Sequence, residues 1–268
     1  WGIKSLPKLN TDHPQVREYI FRVATYWLEQ GADGWRLDVP NEIDDQKFWR
    51  EFRQIVRETK PDAYLLGEIW HQEPHWMEND LFDGLMNYPL RENIIDLMVG
   101  KKTVSEFLSK LTELIAVYPE ENLPAMFNLV GSHDTERIRT VLGDDLNLVF
   151  LTYLIIFTFI GIPVIFYGDE IGIRGGKEPD SRKAFQWDKQ PQRQMIFKKL
   201  QKLIQFRRQF SALRTGKYLV LYQNDEKKTF AFARFEDNDF FITVINLSAE
   251  MQSISLPLDA FALKSKTR

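Results

Sequence analysis

Gly31 to Asn41 reads GADGWRLDVPN, a stretch that is half strand and half something a strand should exclude. Trp35, Leu37 and Val39 suit a pleated, half-buried surface, while Asp33, Arg36 and Asp38 place three charges in the same few residues. Arg36 and Asp38 are two apart, so on a strand they share a face, where a guanidinium holds a carboxylate ionised and oriented. Such a pair either pins a loop or prepares a nucleophile, and the stretch by itself leaves both readings open.

On both sides of this stretch the spacing predicts alternating helices and strands. Upstream, Asp12 reads as an N-cap with Gln15 three residues on, and Val16, Tyr19, Ile20, Val23, Trp27 and Leu28 mark one inward helical face. The strand Trp35 to Val39 follows after a short join, then a helix from Asp45 to Thr59 with Phe48, Phe52, Ile55 and Val56 inward. Tyr64 to Ile69 is the second strand, and Glu68 stands where its apolar run stops. Leu81 to Met86 is a third strand and Thr103 to Tyr118 a helix. Met126 to Val130 is a fourth strand, running into Gly131, Ser132, His133 and Asp134. A near-continuously apolar helix from Asp145 to Phe159 and a strand from Val164 to Tyr167 close the series at Gly168, Asp169 and Glu170.

Apolar strands separated by helices describe an α/β fold with a mostly parallel, covered sheet, and sites in such folds gather at the carboxyl ends of the strands. Gly172 to Asp188 lacks periodicity and reads as a long loop over that rim; Arg193 to Phe210 is a closing helix with Ile196, Leu200, Leu203, Ile204 and Phe206 inward. Beyond Gly216 the period shortens. Lys217–Tyr222, Thr229–Arg234, Phe240–Asn246 and Ser253–Leu256 are short strands joined by polar turns at 224–227 and 236–239, which predicts a small antiparallel β domain. The expected division is therefore 1–215 and 216–268, the second part cut short or simply small.

Composition narrows the chemistry. With 35 basic and 38 acidic residues among 268, and no long basic block, nucleic acid is not the expected partner. The chain has no cysteine, which excludes disulfides, thiolate metal sites and cysteine nucleophiles. Leu148 to Phe166 imitates a membrane span, but Gly161 and Pro163 break it, and a buried helix followed by a strand fits better. No membrane partner is expected. The chain starts at Trp1 with neither methionine nor leader, as a piece whose beginning lies elsewhere would.

At the predicted rim stand Arg36, Asp38, Glu68, His133 and Asp134. Each has a plain reading: an ion-pair partner, a helix cap, a turn that satisfies its own backbone. Three carboxylates at equivalent strand ends are costly unless used. Paired carboxylates suit glycosidic bond cleavage, in which one protonates the leaving oxygen and the other attacks or activates water. Asp38, Glu68, Asp134 and His133 could instead ligate a divalent ion, although Arg36 beside Asp38 would repel a cation. No phosphate-binding glycine motif is present.

These residues resemble the α-amylase family of glycoside hydrolases. The likeness is carried by GADGWRLD (Gly31 to Asp38), GEIW (Gly67 to Trp70), NLVGSHD (Asn128 to Asp134) and YGDEIG (Tyr167 to Gly172). VPNEI (Val39 to Ile43) and LPKLN (Leu6 to Asn10) resemble the branch of neopullulanase, cyclomaltodextrinase and maltogenic amylase. The resemblance implies a partial (β/α)₈ TIM barrel, its strands 4 to 8, followed by an antiparallel β-sandwich, and a retaining mechanism. It implies Asp38 as nucleophile, Glu68 as acid and then base, and Asp134 as the binder of the distorted sugar's hydroxyls, with Arg36 orienting Asp38 and His133 donating to the same ring. Asn41, Glu42 and Trp70 would face the leaving-group side, where linkage preference and the ratio of hydrolysis to transfer are set. Trp70 or Tyr88 would stack on a glucose face or pack in the core.

The same resemblance implies α-1,4-glucosidic bonds in cyclodextrins, maltooligosaccharides, starch or pullulan as substrate, no required cofactor or metal in this chain, a structural Ca²⁺ only in a part outside it, a homodimer for the intact enzyme, and a bacterial cytoplasmic location. A 4-α-glucanotransferase or an oligo-1,6-glucosidase would use the same three carboxylates, and a non-catalytic sugar-binding remnant should have lost one of them. The family's first three strands have no counterpart here, so the chain is expected to be the later portion of a longer enzyme.

Overall fold

The computed structural model describes residues 2–78, 81–187, 191–236 and 239–258. Its elements in chain order are α1 (Pro14–Glu29), β1 (Gly34–Leu37), α2 (Gln46–Thr59), β2 (Tyr64–Gly67), α3 (His75–Glu78), β3 (Gly84–Leu85), α4 (Tyr88–Met98), α5 (Val104–Val117), β4 (Phe127–Asn128), α6 (Ile138–Val141), α7 (Leu146–Thr158), β5 (Ile162–Pro163), α8 (Pro191–Gln209), β6 (Lys217–Asn224), β7 (Thr229–Glu236) and β8 (Asp239–Asn246). This is an α/β core with the parallel strands of a partial barrel, followed by an antiparallel sheet. The chain forms two compact units, one of Trp1–Asn87 with Val117–Phe127 and one of Tyr88–Ala116 with Asn128–Arg268.

In the first unit β1 pairs with β2 in parallel, Gly34 opposite Tyr64 through Leu37 opposite Gly67, and β2 pairs in parallel with β3. Met86 continues the ladder with a parallel bridge to Phe127. Gly34 is dictated by this pairing, because a Cβ there would stand 2.0 Å from the Tyr64 carbonyl oxygen. Asp83 fixes the turn into β3: its Oδ2 accepts from Leu65 N at 2.7 Å, and its Oδ1 pairs with Arg53 at 3.0 Å and Arg57 at 2.7 Å. Helix α2 seals one side with Phe48, Trp49, Phe52 and Val56 buried; Ile55, expected inward, is half-buried.

Helix α1 departs from its predicted face. Ala24 and Leu28 are buried, whereas Tyr19 is 61% and Trp27 52% exposed. It also begins one residue later than the Asp12 cap required: His13 is the N-cap, its Nδ1 accepting from Gln15 N at 3.3 Å, with Pro14 next. Pro14 supplies the reason, since a residue lacking an N–H fits the first helical position.

In the second unit, Val164 N donates to the Asn128 carbonyl at 2.9 Å, and the Asn128 side chain donates to Ile160 O at 2.6 Å. The long apolar run splits as its glycine and proline require: α7 ends at Thr158 and Gly161, at φ 110°, turns the chain into β5. No helix among the described residues is long and apolar enough to cross a membrane. The last carbonyls of α7 are met by buried arginines, Arg207 Nη1 on Phe157 O at 2.8 Å and Arg234 Nη1 on Thr158 O at 3.2 Å. Burial, then a neighbouring arginine, lowers each guanidinium to about 10.

The antiparallel sheet runs β6–β7–β8, with Phe230 to Arg234 buried along its central strand. The strand expected at Ser253–Leu256 does not form; Ile254, Leu256 and Leu258 instead pack their side chains on Leu221, Ala231 and Ala233. The turn at 236–239 and the chain from 259 lie partly or wholly outside the described residues. In α8, Ile196 and Leu200 are buried as expected, but Phe206 is 44% exposed, its ring against Phe210 and Phe241.

Helix α4 has no counterpart in the predicted elements, although its pattern is regular. Leu90, Ile94, Leu97 and Met98 are buried at helical spacing behind Pro89.

Candidate functional site

The candidate residues fall into two groups, one in each unit. In the first unit, Arg36 is the last-but-one residue of β1 and Asp38 lies just past its end. Arg36 Nη1 pairs with Asp38 Oδ1, as the same-face spacing predicts. Its Nη2 stands 2.7 Å from Glu68 Oε1, a contact that the spacing gave no sign of because Glu68 belongs to the next strand. Parallel pairing explains it: Leu37 is opposite Gly67, and Glu68 N donates to Leu37 O at 3.0 Å, so the two strand ends lie side by side.

The two carboxylates differ sharply in exposure. The Asp38 side chain is 72% exposed and that of Glu68 only 3%. The second Glu68 oxygen accepts from Val39 N at 3.1 Å. Val39 has φ 34° and ψ 58°, a left-handed conformation that a β-branched residue adopts only when its surroundings impose it. The strained residue thus turns its N–H onto Glu68 and starts the one-turn helix Pro40–Glu42. In that turn Asn41 is exposed and Glu42 half-buried, with Lys8 Nζ donating to the Glu42 carbonyl. Trp70, two residues beyond Glu68, is 39% exposed.

In the second unit, His133 Nε2 and Asp134 Oδ2 are 3.0 Å apart, and both side chains are partly exposed, at 45% and 30%. The turn that carries them satisfies its own backbone through its neighbours: Ser132 N donates to Thr135 Oγ1 at 2.9 Å and Asp134 N to Ser132 Oγ at 3.2 Å. His133 and Asp134 are therefore relieved of that task. Arg182 Nη2 lies 3.2 Å from Asp134 Oδ1 and also 3.1 Å from Glu178. Arg182 was hidden in the aperiodic loop 172–188, where only its charge marked it. Tyr88 is buried, its hydroxyl 3.3 Å from Ser132 Oγ, which is a packing role.

Among the described residues no group of three or more His, Asp or Glu side chains is placed to hold a metal ion. In the first unit Arg36 occupies the position between the carboxylates that a cation would need. The arrangement offers one solvent-facing carboxylate and one sealed carboxyl joined by a single guanidinium.

Residues 1–216 match the family model described as alpha amylase, catalytic domain. The chain is 45% identical over 260 residues to a cyclomaltodextrinase of Geobacillus thermopakistaniensis (strain MAS1), covering 96% of this chain and 44% of that protein. It is 39% identical over 255 residues to neopullulanase 2 of Thermoactinomyces vulgaris, covering 95% of this chain and 43% of the relative. The ligand-free cyclic α-maltosyl-(1→6)-maltose hydrolase of Arthrobacter globiformis superposes with a TM-score of 0.86 at 34% identity, over 90% of this chain and 54% of that one. The chain spans about half the length, or less, of the relatives it matches. With its motifs, its parallel core and these likenesses, the chain belongs to the α-amylase family, in the branch of the cyclomaltodextrinases, neopullulanases and maltogenic amylases.

Proposed function

We propose that the protein carrying this chain is a retaining glycosidase that cleaves α-1,4-glucosidic bonds in cyclodextrins, maltooligosaccharides, starch or pullulan. The observation that carries the reading is Arg36 joining an exposed Asp38 to a buried Glu68 in a chain of this family. Two carboxyl groups in unlike surroundings are what acid and nucleophile roles require.

In this reading the Asp38 carboxylate attacks the anomeric carbon while Glu68 gives its proton to the glycosidic oxygen. The C–O bond breaks, the shortened glucan leaves with a free hydroxyl, and a β-glycosyl ester remains on Asp38. Glu68, now a carboxylate, takes a proton from water, whose oxygen attacks the same carbon and frees Asp38 with net retention. Arg36 fixes the direction of the Asp38 oxygens. Asp134 accepts hydrogen bonds from the sugar hydroxyls as the ring flattens toward the oxocarbenium-like state, and His133 donates to the same ring. Asn41, Glu42 and Trp70 lie beyond the two strand ends and meet the leaving-group portion of the glucan.

The reading extends to a homodimer in the bacterial cytoplasm, with no cofactor needed for the chemistry. The test is product analysis of the full-length gene product on β-cyclodextrin, maltotriose and pullulan, with E68Q as control. Ring opening followed by shortening, lost in E68Q, supports it. Lengthened oligosaccharides as the main product would make it a 4-α-glucanotransferase, and intact cyclodextrin with hydrolysis of isomaltose, run alongside, an oligo-1,6-glucosidase. No turnover of any of these by a full-length, folded protein would leave a sugar-binding remnant.

A further inference from the structure

Arg137 has no part in the mechanism above, yet it is a fully buried side chain, 0% exposed, in the second unit. Its backbone N donates to Gly175 O at 2.9 Å, its Nε to Ser181 O at 2.8 Å, and its Nη1 to Tyr167 O. Nη1 also lies 3.2 Å from Asp169 Oδ1, and the guanidinium carbon stands 4.0 and 4.5 Å from the ring centroids of Phe166 and Tyr167. Nη2 has no hydrogen-bond partner among the described residues. Arg137 thus grips two segments far from it in sequence: its side chain holds 166–169 and Ser181, and its backbone N holds Gly175.

The second segment returns to the candidate site. Ser181 Oγ donates to His133 O at 3.2 Å, Arg182 Nε donates to the same carbonyl at 3.2 Å, and Arg182 Nη2 pairs with Asp134 Oδ1 at 3.2 Å. Arg137 itself stands three residues after Asp134, so the chain of bonds closes on the turn it started from. Ser181 is wholly buried, and its carbonyl and hydroxyl are used in opposite directions, one toward Arg137 and one toward His133.

We propose that Arg137 is a positioning residue for Asp134: by clamping the 175–182 segment through Ser181, it fixes the turn that presents the Asp134 carboxylate to the sugar. The proposal rests on the reading of Asp134 as the group that binds the distorted ring. A lysine cannot replace it, because one ammonium lacks the fork that reaches Ser181 and Asp169 together.

The test uses the full-length gene product with R137K and S181A, the latter removing only the hydroxyl on His133 O. Turnover of maltotriose and amide hydrogen exchange at Asp134, Gly175 and Gly176 are measured in parallel. Expected for R137K is a kcat lower by about 10- to 100-fold with KM nearly unchanged, the pattern of a contact made mainly in the transition state. Exchange at those three amides should rise while the amides of β6 to β8 keep wild-type rates. S181A should move the same readouts in the same direction by less, and it decides the matter if R137K does not fold. A normal kcat per folded molecule in either folded variant overturns the proposal, as does faster exchange spread evenly over the unit, which a merely structural arginine would give. If the wild type turns over no α-glucan, the functional reading fails separately, and the local exchange pattern alone decides whether the clamp exists.

Discussion

Arg36 and Arg137 each hold a carboxylate, and the two clusters are built for opposite ends. On the Asp38 side of Arg36 the chain leaves water in: the guanidinium is 31% exposed and Asp38 72%, with only Glu68 sealed. Around Arg137 it shuts water out, with arginine and Asp169 both at 0% and Tyr153 Oη donating to Asp169 Oδ2 at 2.8 Å. A carboxylate that is to form a bond with a substrate must be reachable, and Asp38 is. A carboxylate that is to hold three segments together is better sealed, and burial then exacts a charge penalty. Burial pushes Asp169 up to about 6, against the opposing pull of the Tyr153 hydroxyl and the Arg137 charge. On the proposed mechanism, the same pair of residue types serves reactivity where it is open and holds segments together where it is closed.

Disabling one member of each cluster shows what each one supplies. E68Q keeps an acceptor for Val39 N but cannot deliver a proton, so turnover of β-cyclodextrin should fall by about 10²- to 10⁴-fold with thermal stability nearly unchanged. R137M acts on the equilibrium side, whatever it does to turnover: removing the guanidinium leaves Asp169 buried without its charge partner, at a cost of about 3–5 kcal/mol by urea unfolding. An E68Q protein that unfolds readily, or an R137M protein of wild-type stability, would dissolve the distinction.

The sealed cluster has a pH signature as well. Between pH 3.8 and about 6 the folded chain holds the Asp169 proton that the unfolded chain has released. Stability then falls as pH rises through that window, and a shift of about two units corresponds to roughly 3 kcal/mol. Surface carboxylates act with the opposite sign, as Asp33 and Asp180 show, held low by Lys60 and Lys183, but solvent screens them. D169N should therefore remove a declining component from the stability curve between pH 4 and 6, measured as the wild-type-minus-variant difference in urea unfolding. A difference that grows with pH, or none, would mean that Asp169 is ionised throughout.

What the sequence disclosed about the two clusters differs for a physical reason. Arg36 and Asp38 lie on one strand, two apart, and their pairing follows from period 2 alone. The link from Arg36 to Glu68 depends on the register of β1 against β2, which no local pattern states. The Arg137 cluster is assembled from residues 137, 153, 167–169 and 181, so periodicity could not have found it; only Asp169, left by the strand pattern at the end of an apolar run, stood out. Helix α1 exposes part of its expected face because helical spacing tells which residues share a side but not whether anything covers it. The Ser253–Leu256 segment has the pattern of a strand without forming one, because alternation fits a segment that packs on a sheet as well as one that pairs with it.

Tyr153 gives the finest test, since it perturbs the sealed cluster without removing either charge. Its ring is wholly buried on α7, and burial and the Asp169 charge both push its hydroxyl well above the usual tyrosine range, so near neutrality it can only donate. Y153F deletes that one hydrogen bond, with an expected loss of about 1 kcal/mol in urea unfolding near neutral pH. Because the lost bond favoured the ionised form, Asp169 must rise further, and the pH range over which stability declines should extend upward from about 6. Below pH 4, where Asp169 is protonated in both states, the variant should recover most of its deficit. A deficit that is the same at every pH would show that the tyrosine contributes only packing, and that Arg137 alone sets the charge of Asp169.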